Sequence, residues 1–295
     1  MNVLVTGGSG FIGTHLVERL KKEGCGVQNL DIRNGAVCNV CYFPRIEFFM
    51  MHQDVVFHAA NIPAHRLSID DPREVILNNY QTTLNIVEAV RKSGRCNKIV
   101  FLSSFAVYGK NDNIPWTENT PVQATTPYGL CKIQCEELLR RYHEWYGIEV
   151  IIIRPSNVFG EHEELHQPIQ VIPKWLDDFQ EGRSLVVHGG DTFRDLTYVG
   201  DVVEGIVSAS VKTGFRIYNL CSGKAIFLKD IAKYISDKVA IVNLSKHETE
   251  KWSGSYGKAM KELGWKPTKT IWEWIDERKR EIKAEKDNVE SGIGR

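Results

Sequence analysis

Ser104 lies in the stretch "SSFAVYG" (103–109), and Tyr128 and Lys132 lie in "YGLCK" (128–132). A tyrosine and a lysine four positions apart on a helix stand one turn apart on the same face. A phenol with its ordinary pKa of about 10 is a poor base at neutral pH. A neighbouring ammonium favours the phenolate and brings it toward the working range, so the set reads as equipment for moving a proton. Directly behind Ser104 come Phe105 and Ala106, neither of which can carry a proton.

A second motif supplies a binding function. In "TGGSGFIG" (6–13), Gly7, Gly10 and Gly13 follow G-x-x-G-x-x-G, and Gly8, Gly10 and Gly13 fit G-x-G-x-x-G. Glycines at these spacings allow a tight turn and let backbone amides at a helix N-terminus approach a pyrophosphate. Asp31 ends the next strand pattern, eighteen residues after Gly13. A carboxylate there accepts hydrogen bonds from an adenosine ribose and repels a 2′-phosphate, which favours NAD over NADP, with Arg33 nearby as the one contrary feature.

These residues need a scaffold that delivers them to one place. "NVLVT", "VQNLD", "DVVFHAA", "KIVFLSS" and "IEVIIIRP" read as strands, separated by helical stretches over 11–24, 72–93 and 126–146. Pro72 suits the first turn of its helix. Such alternation predicts an α/β fold, a Rossmann-type doubly wound parallel sheet covered on both faces. After Arg154 the pattern loosens into short helices and strands, predicting a smaller interleaved C-terminal lobe for substrate. The division expected is a dinucleotide-binding unit over 1–155 and about 190–221, a substrate lobe over about 156–189 and 222–275, and a solvated, charged helix or tail over 276–295.

Bulk properties narrow the function. The 295 residues carry 37 basic and 37 acidic side chains, so no net charge draws the chain to nucleic acid or to an anionic membrane. No apolar run reaches the roughly 18 residues that span a bilayer, and a strand pattern begins at the N-terminus, so a cytoplasmic location is expected. Seven cysteines scattered from Cys25 to Cys221 do not form a disulfide framework, and Cys38 and Cys41 have no second pair at zinc spacing, so no metal is expected.

With these motifs in this order, together with Asn79, "IRPSNVFG", "FRDLTYVGDVVEGI", "YNLCSG" and "KAMKELGWKP", the chain resembles the extended short-chain dehydrogenase/reductase family over residues 1–275. Within it the likeness is to the NAD-dependent sugar-nucleotide epimerases and dehydratases of the UDP-galactose 4-epimerase type. The resemblance implies that Lys132 also holds the nicotinamide ribose and that Ser104 hydrogen-bonds the reacting sugar hydroxyl. It places Phe11, Ile12, Ala59, Ala60, Asn79, Ser103 and Pro155 beside NAD, and it assigns Asn157 and Arg194 to the diphosphate of a nucleotide sugar. Asp195 is expected to buttress the loop of Arg194, and Asp201 to cap the next helix. A homodimer paired through the helix over 126–146 and a neighbour is implied as well.

The resemblance also gives Phe105 and Ala106 a meaning. Relatives that eliminate water across C5 and C6, or decarboxylate a uronic acid, usually carry acidic residues directly after the serine or threonine. Apolar residues there suit a 4-epimerase, in which Tyr128 takes the O4 proton while the C4 hydride passes to NAD and returns to the other face. A dehydratase or decarboxylase, a 4-keto sugar reductase and a non-catalytic binding protein on this fold are the alternatives.

Several positions depart from the family pattern. The segment between Asp31 and Asp54 is short, and a strand near "NVCYF" followed by a stunted helix over 44–52 accommodates it better than a strand at "IEFF". Lys246 and Lys251 stand where relatives often carry a phosphate-binding arginine, and Ser255 replaces the usual aspartate. Trp252 falls near the position that gates the sugar's 2-substituent, where an indole disfavours N-acetylated sugars.

Overall fold

The structure, a computed structural model, describes residues 1–34, 43–62, 67–163, 171–243 and 251–290. Its centre is a six-stranded parallel sheet made of β1 (Asn2–Thr6), β2 (Gly26–Leu30), β3 (Val55–His58), β4 (Lys98–Leu102), β5 (Glu149–Pro155) and β9 (Phe215–Leu220), in the order β2-β1-β3-β4-β5-β9. The inner strands carry continuous apolar runs, such as Val3–Val5, Val55–Phe57, Ile99–Leu102 and Val150–Ile153, because both faces of the sheet are covered. On one face lie α2 (Phe43–Met50), α4 (Pro72–Ser93) and α5 (Pro127–Tyr146), where Ile46, Met50, Ile86, Val90 and Leu139 pack on Val56, Ile99 and Ile152. On the other lie α1 (Phe11–Lys22) and α7 (Val199–Ser210), whose Leu16, Leu20, Val202 and Ile206 meet Val3, Val5, Val100 and Ile151.

The helix ends are written in the sequence. Asp71 accepts the amide of Glu74 at 3.0 Å ahead of Pro72, and α4 stops at Gly94 in the left-handed conformation. Thr126 accepts the amide of Gly129 at 3.2 Å ahead of Pro127, and α5 stops at Gly147 in the same way.

The chain reverses its direction of travel across the sheet at β1, which has β2 on one side and β3 on the other. In open parallel sheets the crevice outside the C-terminal strand ends at such a switch point binds the ligand. "IEFF" is helical, within α2, as the crossover-length argument required; the strand expected near "NVCYF" lies outside the described residues, as do Cys38 and Cys41.

The second half builds a lobe on small sheets. β6 (Asn157–Phe159), β8 (Phe193–Tyr198) and β10 (Ala225–Phe227) form one, and β7 (Leu185–His188) pairs with β11 (Val239–Val242). α6 (Val171–Gln180), α8 (Leu228–Ile235) and α10 (Ile271–Glu290) close its core around Trp175, Ile231 and Trp274. Here α10 departs from the expected solvated tail. Ile275 and Ile282, at 0% and 5% exposure, belong to this core, because they fall seven residues apart and so share one face of an otherwise charged helix. α3 (Leu67–Asp70) and α9 (Gly257–Leu263) complete the described elements.

Asp201 is a second correction. It lies in the first turn of α7, yet its carboxylate does not cap that helix: it accepts from the Thr268 amide at 2.8 Å, the Thr268 hydroxyl at 2.6 Å and the Lys269 amide at 3.2 Å. Its carbonyl takes the Trp265 indole N–H at 2.7 Å, so Asp201 fastens "GWKPTK" to the start of α7.

Candidate active site

Five strand ends bring the expected residues to one edge of the sheet. The glycine loop follows β1, Asp31 follows β2, Ala59 and Ala60 follow β3, Ser103 and Ser104 follow β4, and Pro155 ends β5. Gly7, at φ +70°, packs so closely that a Cβ would lie 2.6 Å from Ala60 Cα. A Cβ on Gly13 would lie 2.0 Å from the Gly7 carbonyl oxygen, so only glycine lets α1 start this near the strand.

This loop suits a dinucleotide. The N-cap of α1 is Gly10, which offers no side-chain acceptor, and the first turn, including Phe11 and Ile12, holds no acidic residue. The positive end of the helix dipole at this turn favours an anion. Asp31 accepts the Ser9 amide at 3.0 Å through one oxygen and the Arg33 amide at 2.9 Å through the other, and retains lone pairs for a ribose diol. Arg33 folds back to the Ser9 carbonyl at 2.5 Å, which removes the objection it raised to NAD.

The catalytic set assembles on three elements. Ser104 follows β4 and opens a single 3-10 turn (Phe105–Val107); its Oγ accepts the Ala106 amide at 3.1 Å, and its hydroxyl lies close enough to the Tyr128 phenol to favour the phenolate. Tyr128 and Lys132 stand in the first two turns of α5. Asn61, in the loop after β3, places its Nδ2 3.4 Å from the Tyr128 oxygen. Asn61 went unread in the sequence, where "AANI" is an ordinary loop; only the fold brings it against Tyr128.

Lys132 behaves differently from the expectation. Its buried ammonium donates to the Leu102 carbonyl at 2.7 Å and lies 4.6 Å from the Phe101 ring centre and 5.8 Å from that of Tyr128. It thus sits beside the tyrosine ring rather than at the phenol oxygen. Burial pushes Tyr128 up to about 12, against the pull of hydrogen bonds from Ser104 and then Asn61. Burial also lowers Lys132. Below this set His58 is clamped between Thr6 Oγ1 at 2.8 Å and Thr83 Oγ1 at 3.2 Å; burial first, then Lys132, holds it neutral with a pKa of about 3.

Two neighbours expected at the cofactor also hold the site together. Ser103 donates its hydroxyl to Glu136, which lies one turn beyond Lys132 and pairs with Arg154 at 3.0 and 2.5 Å. Arg154 in turn donates to Tyr108 Oη at 3.0 Å, and Tyr108 to Asn219 at 2.7 Å. The network ties the Ser104 turn to the Tyr128 helix. Asn79, on α4, accepts the Ile62 amide at 2.8 Å and donates to the Ile62 carbonyl at 3.4 Å, fixing the loop after β3.

Phe105 and Ala106 point into a core, at 0% and 5% exposure. The Phe105 ring meets Tyr108 edge-on and lies near Trp116, and a Cβ on Gly254 would fall 2.4 Å from it. This apolar cluster joins the catalytic turn to the 252–256 segment through Trp252 and Tyr256.

The lobe presents Asn157 on β6 and Arg194 on β8. The Asn157 Oδ1 is buried and has no hydrogen-bond partner among the described residues, as expected of a group that meets a ligand. Arg194 spans the Trp252 indole at 5.5 Å and donates to the Phe193 carbonyl at 3.0 Å. Asp195, wholly buried, does buttress this region: it accepts from the Ser222 amide and hydroxyl at 2.7 and 2.8 Å, from the Gly223 amide at 3.0 Å and from Ser156 at 3.2 Å. Burial raises its pKa against those bonds. Lys251 is exposed, and Lys246 lies outside the described residues.

The fold is that of the extended short-chain dehydrogenases/reductases. The chain belongs to the NAD dependent epimerase/dehydratase family, whose sequence model matches residues 3–221, and NAD is the family's cofactor. It is 32% identical to a putative UDP-glucose 4-epimerase of Methanocaldococcus jannaschii over 97% of this chain and 99% of that one. It is 29% identical to a mouse (Mus musculus) dTDP-D-glucose 4,6-dehydratase over 92% and 85%. The crystal structure of UDP-glucose 4-epimerase from Thermotoga maritima with UDP-glucose superposes with a TM-score of 0.89 at 26% identity, covering 95% of this chain and 99% of that one.

Proposed function

We propose that the chain is an NAD-dependent 4-epimerase of a nucleotide sugar, acting on a UDP-hexose such as UDP-glucose or UDP-galactose. The observation that carries this reading is the apolar pair behind Ser104. Elimination across C5 and C6 needs a group to protonate the departing hydroxyl and one to take the C5 proton, and the buried Phe105 and Ala106 supply neither. Epimerisation at C4 needs only the groups that are present.

In this mechanism Tyr128 Oη removes the O4 proton and returns it, and Ser104 aligns that hydroxyl. Lys132 would hold the nicotinamide ribose of NAD, and the N-terminus of α1 and Asp31 would hold its pyrophosphate and adenosine ribose. NAD, when bound, would supply the acceptor and donor for the C4 hydrogen, and a positive charge close to Tyr128 would favour its phenolate against the effect of burial. Arg194 and Asn157 grip the diphosphate, Arg194 through its two-pronged guanidinium, so that the sugar can turn over between the two half-reactions.

A homodimer through α4 and α5 is part of the proposal. Leu77, Leu130, Trp145 and Tyr146 stand 47–63% exposed on these helices, apolar surface that a second copy would cover. The test of the reaction is incubation with UDP-glucose and NAD. Accumulation of UDP-galactose with no net NADH is expected, lost in Tyr128→Phe while NAD binding stays within a few-fold. A 4-keto-6-deoxy product, or full activity in Tyr128→Phe, would contradict the proposal.

A further inference from the structure

The geometry points to Asn61 as a positioning residue for the base: its side-chain amide donates a second hydrogen bond to the Tyr128 oxygen and, with Ser104, favours the phenolate. The inference rests on the proposed role of Tyr128 as the proton-moving group. Asn61 Nδ2 lies 3.4 Å from the phenol oxygen, a long bond of the kind that tightens when a site closes on its substrate. The Asn61 Oδ1 is buried without a partner among the described residues, so the amide is held in this place by its contact with Tyr128 and by its backbone.

That backbone is fixed from below. Asn79 binds both the N–H and the C=O of Ile62, the next residue, at 2.8 and 3.4 Å. The Asn79 carbonyl in turn accepts the Thr83 hydroxyl at 2.9 Å, and Thr83 meets His58 at the C-terminal end of β3. Asn79, assigned to cofactor support by resemblance, thereby becomes the anchor that aims Asn61 at the base.

The need for a second donor follows from the surroundings of the phenol. Among the described residues, the charged and titratable groups that bear on it are the Lys132 ammonium, which sits beside the ring and is engaged by Leu102, and the Cys131 and Cys135 thiols on its own helix. None of them donates to the phenol oxygen. Burial works against ionisation, and Ser104 and Asn61 are the two donors that oppose it.

The test reads Tyr128 directly in NAD-loaded protein with no sugar present. The chain is labelled at tyrosine Cζ, the Tyr128 resonance is assigned with Tyr128→Phe, and its midpoint is followed against pH. Asn61→Ala should raise the midpoint by about one pH unit, since a hydrogen bond to a charged group is lost. Asn61→Asp, which keeps the shape, should raise it further by placing a carboxylate beside the phenolate. NAD affinity should stay within a few-fold in both, and kcat near pH 7 should fall about tenfold in Asn61→Ala.

An unchanged midpoint in the two variants would overturn the inference, as would a lower midpoint in Asn61→Ala, which would show the amide accepting from the phenol. Asn61→Asp retaining the parent midpoint would reduce Asn61 to a packing role. If the parent converts no sugar while the midpoint still answers to Asn61, the proposed function fails and this inference stands.

Discussion

Replacing Glu136 by glutamine is a sharp test of how the catalytic turn is held. Glu136 and Arg154 are 5% and 3% exposed, and the guanidinium meets the carboxylate through two bonds of 3.0 and 2.5 Å. Ser103 donates to the same carboxylate, and Tyr108 extends the network to Asn219. Glu136→Gln leaves a buried cation facing a neutral amide, and removal of one partner of such a pair costs about 3–5 kcal/mol. Arg154→Met should cost a similar amount by stranding the carboxylate. The double variant Glu136→Gln/Arg154→Met removes both charges together, so it should cost no more than the worse single change. Urea unfolding followed by tryptophan fluorescence measures all three. Single variants within about 1 kcal/mol of the parent, or a double variant that loses the full sum, would refute the reasoning.

Further outcomes follow from other parts of the structure. Gly13→Ala should abolish NAD binding by calorimetry and cost about 1–3 kcal/mol of stability, because its Cβ would fall 2.0 Å from the Gly7 carbonyl oxygen; parent affinity would contradict the loop geometry. His58 is held at about 3 against its ordinary 6.5, a depressed folded pKa, so its contribution is fully present above pH 6.5 and is lost as pH falls toward 3. His58→Asn should flatten that part of the stability–pH curve measured by thermal melts, and a curve of unchanged slope would show that His58 does not set it. Leu130→Glu, at a position 47% exposed on α5, should yield monomers in analytical ultracentrifugation, and an unaltered sedimentation profile would remove α5 from the interface.

The sequence made the sheet readable because its inner strands are continuous apolar runs and its longest helices begin and end with strong caps, Asp71-Pro72 to Gly94 and Thr126-Pro127 to Gly147. The glycine loop and the Tyr128–Lys132 pair were readable because their spacing is local. What escaped was set by tertiary contact. Asn61 meets Tyr128 across 67 positions, Ser103 meets Glu136 across 33, and Asp201 reaches Thr268 across 67. Helical spacing puts Lys132 beside Tyr128, as found, but it does not show that the Leu102 carbonyl on β4 takes up the ammonium. Ile282 escaped because one apolar residue among charges gives little periodic signal, yet it completes a core started by Trp274 and Ile275.

The central claim is most directly tested by the fate of the sugar's hydrogens. The protein is supplied with NAD and UDP-glucose in deuterated water, and the product is read by proton NMR. Epimerisation at C4 predicts UDP-galactose with hydrogen retained at both C4 and C5 and no net NADH. Deuterium at C5 with a 4-keto-6-deoxy sugar would contradict the account and show that proton-transfer groups elsewhere in the site serve elimination in spite of the apolar Phe105 and Ala106.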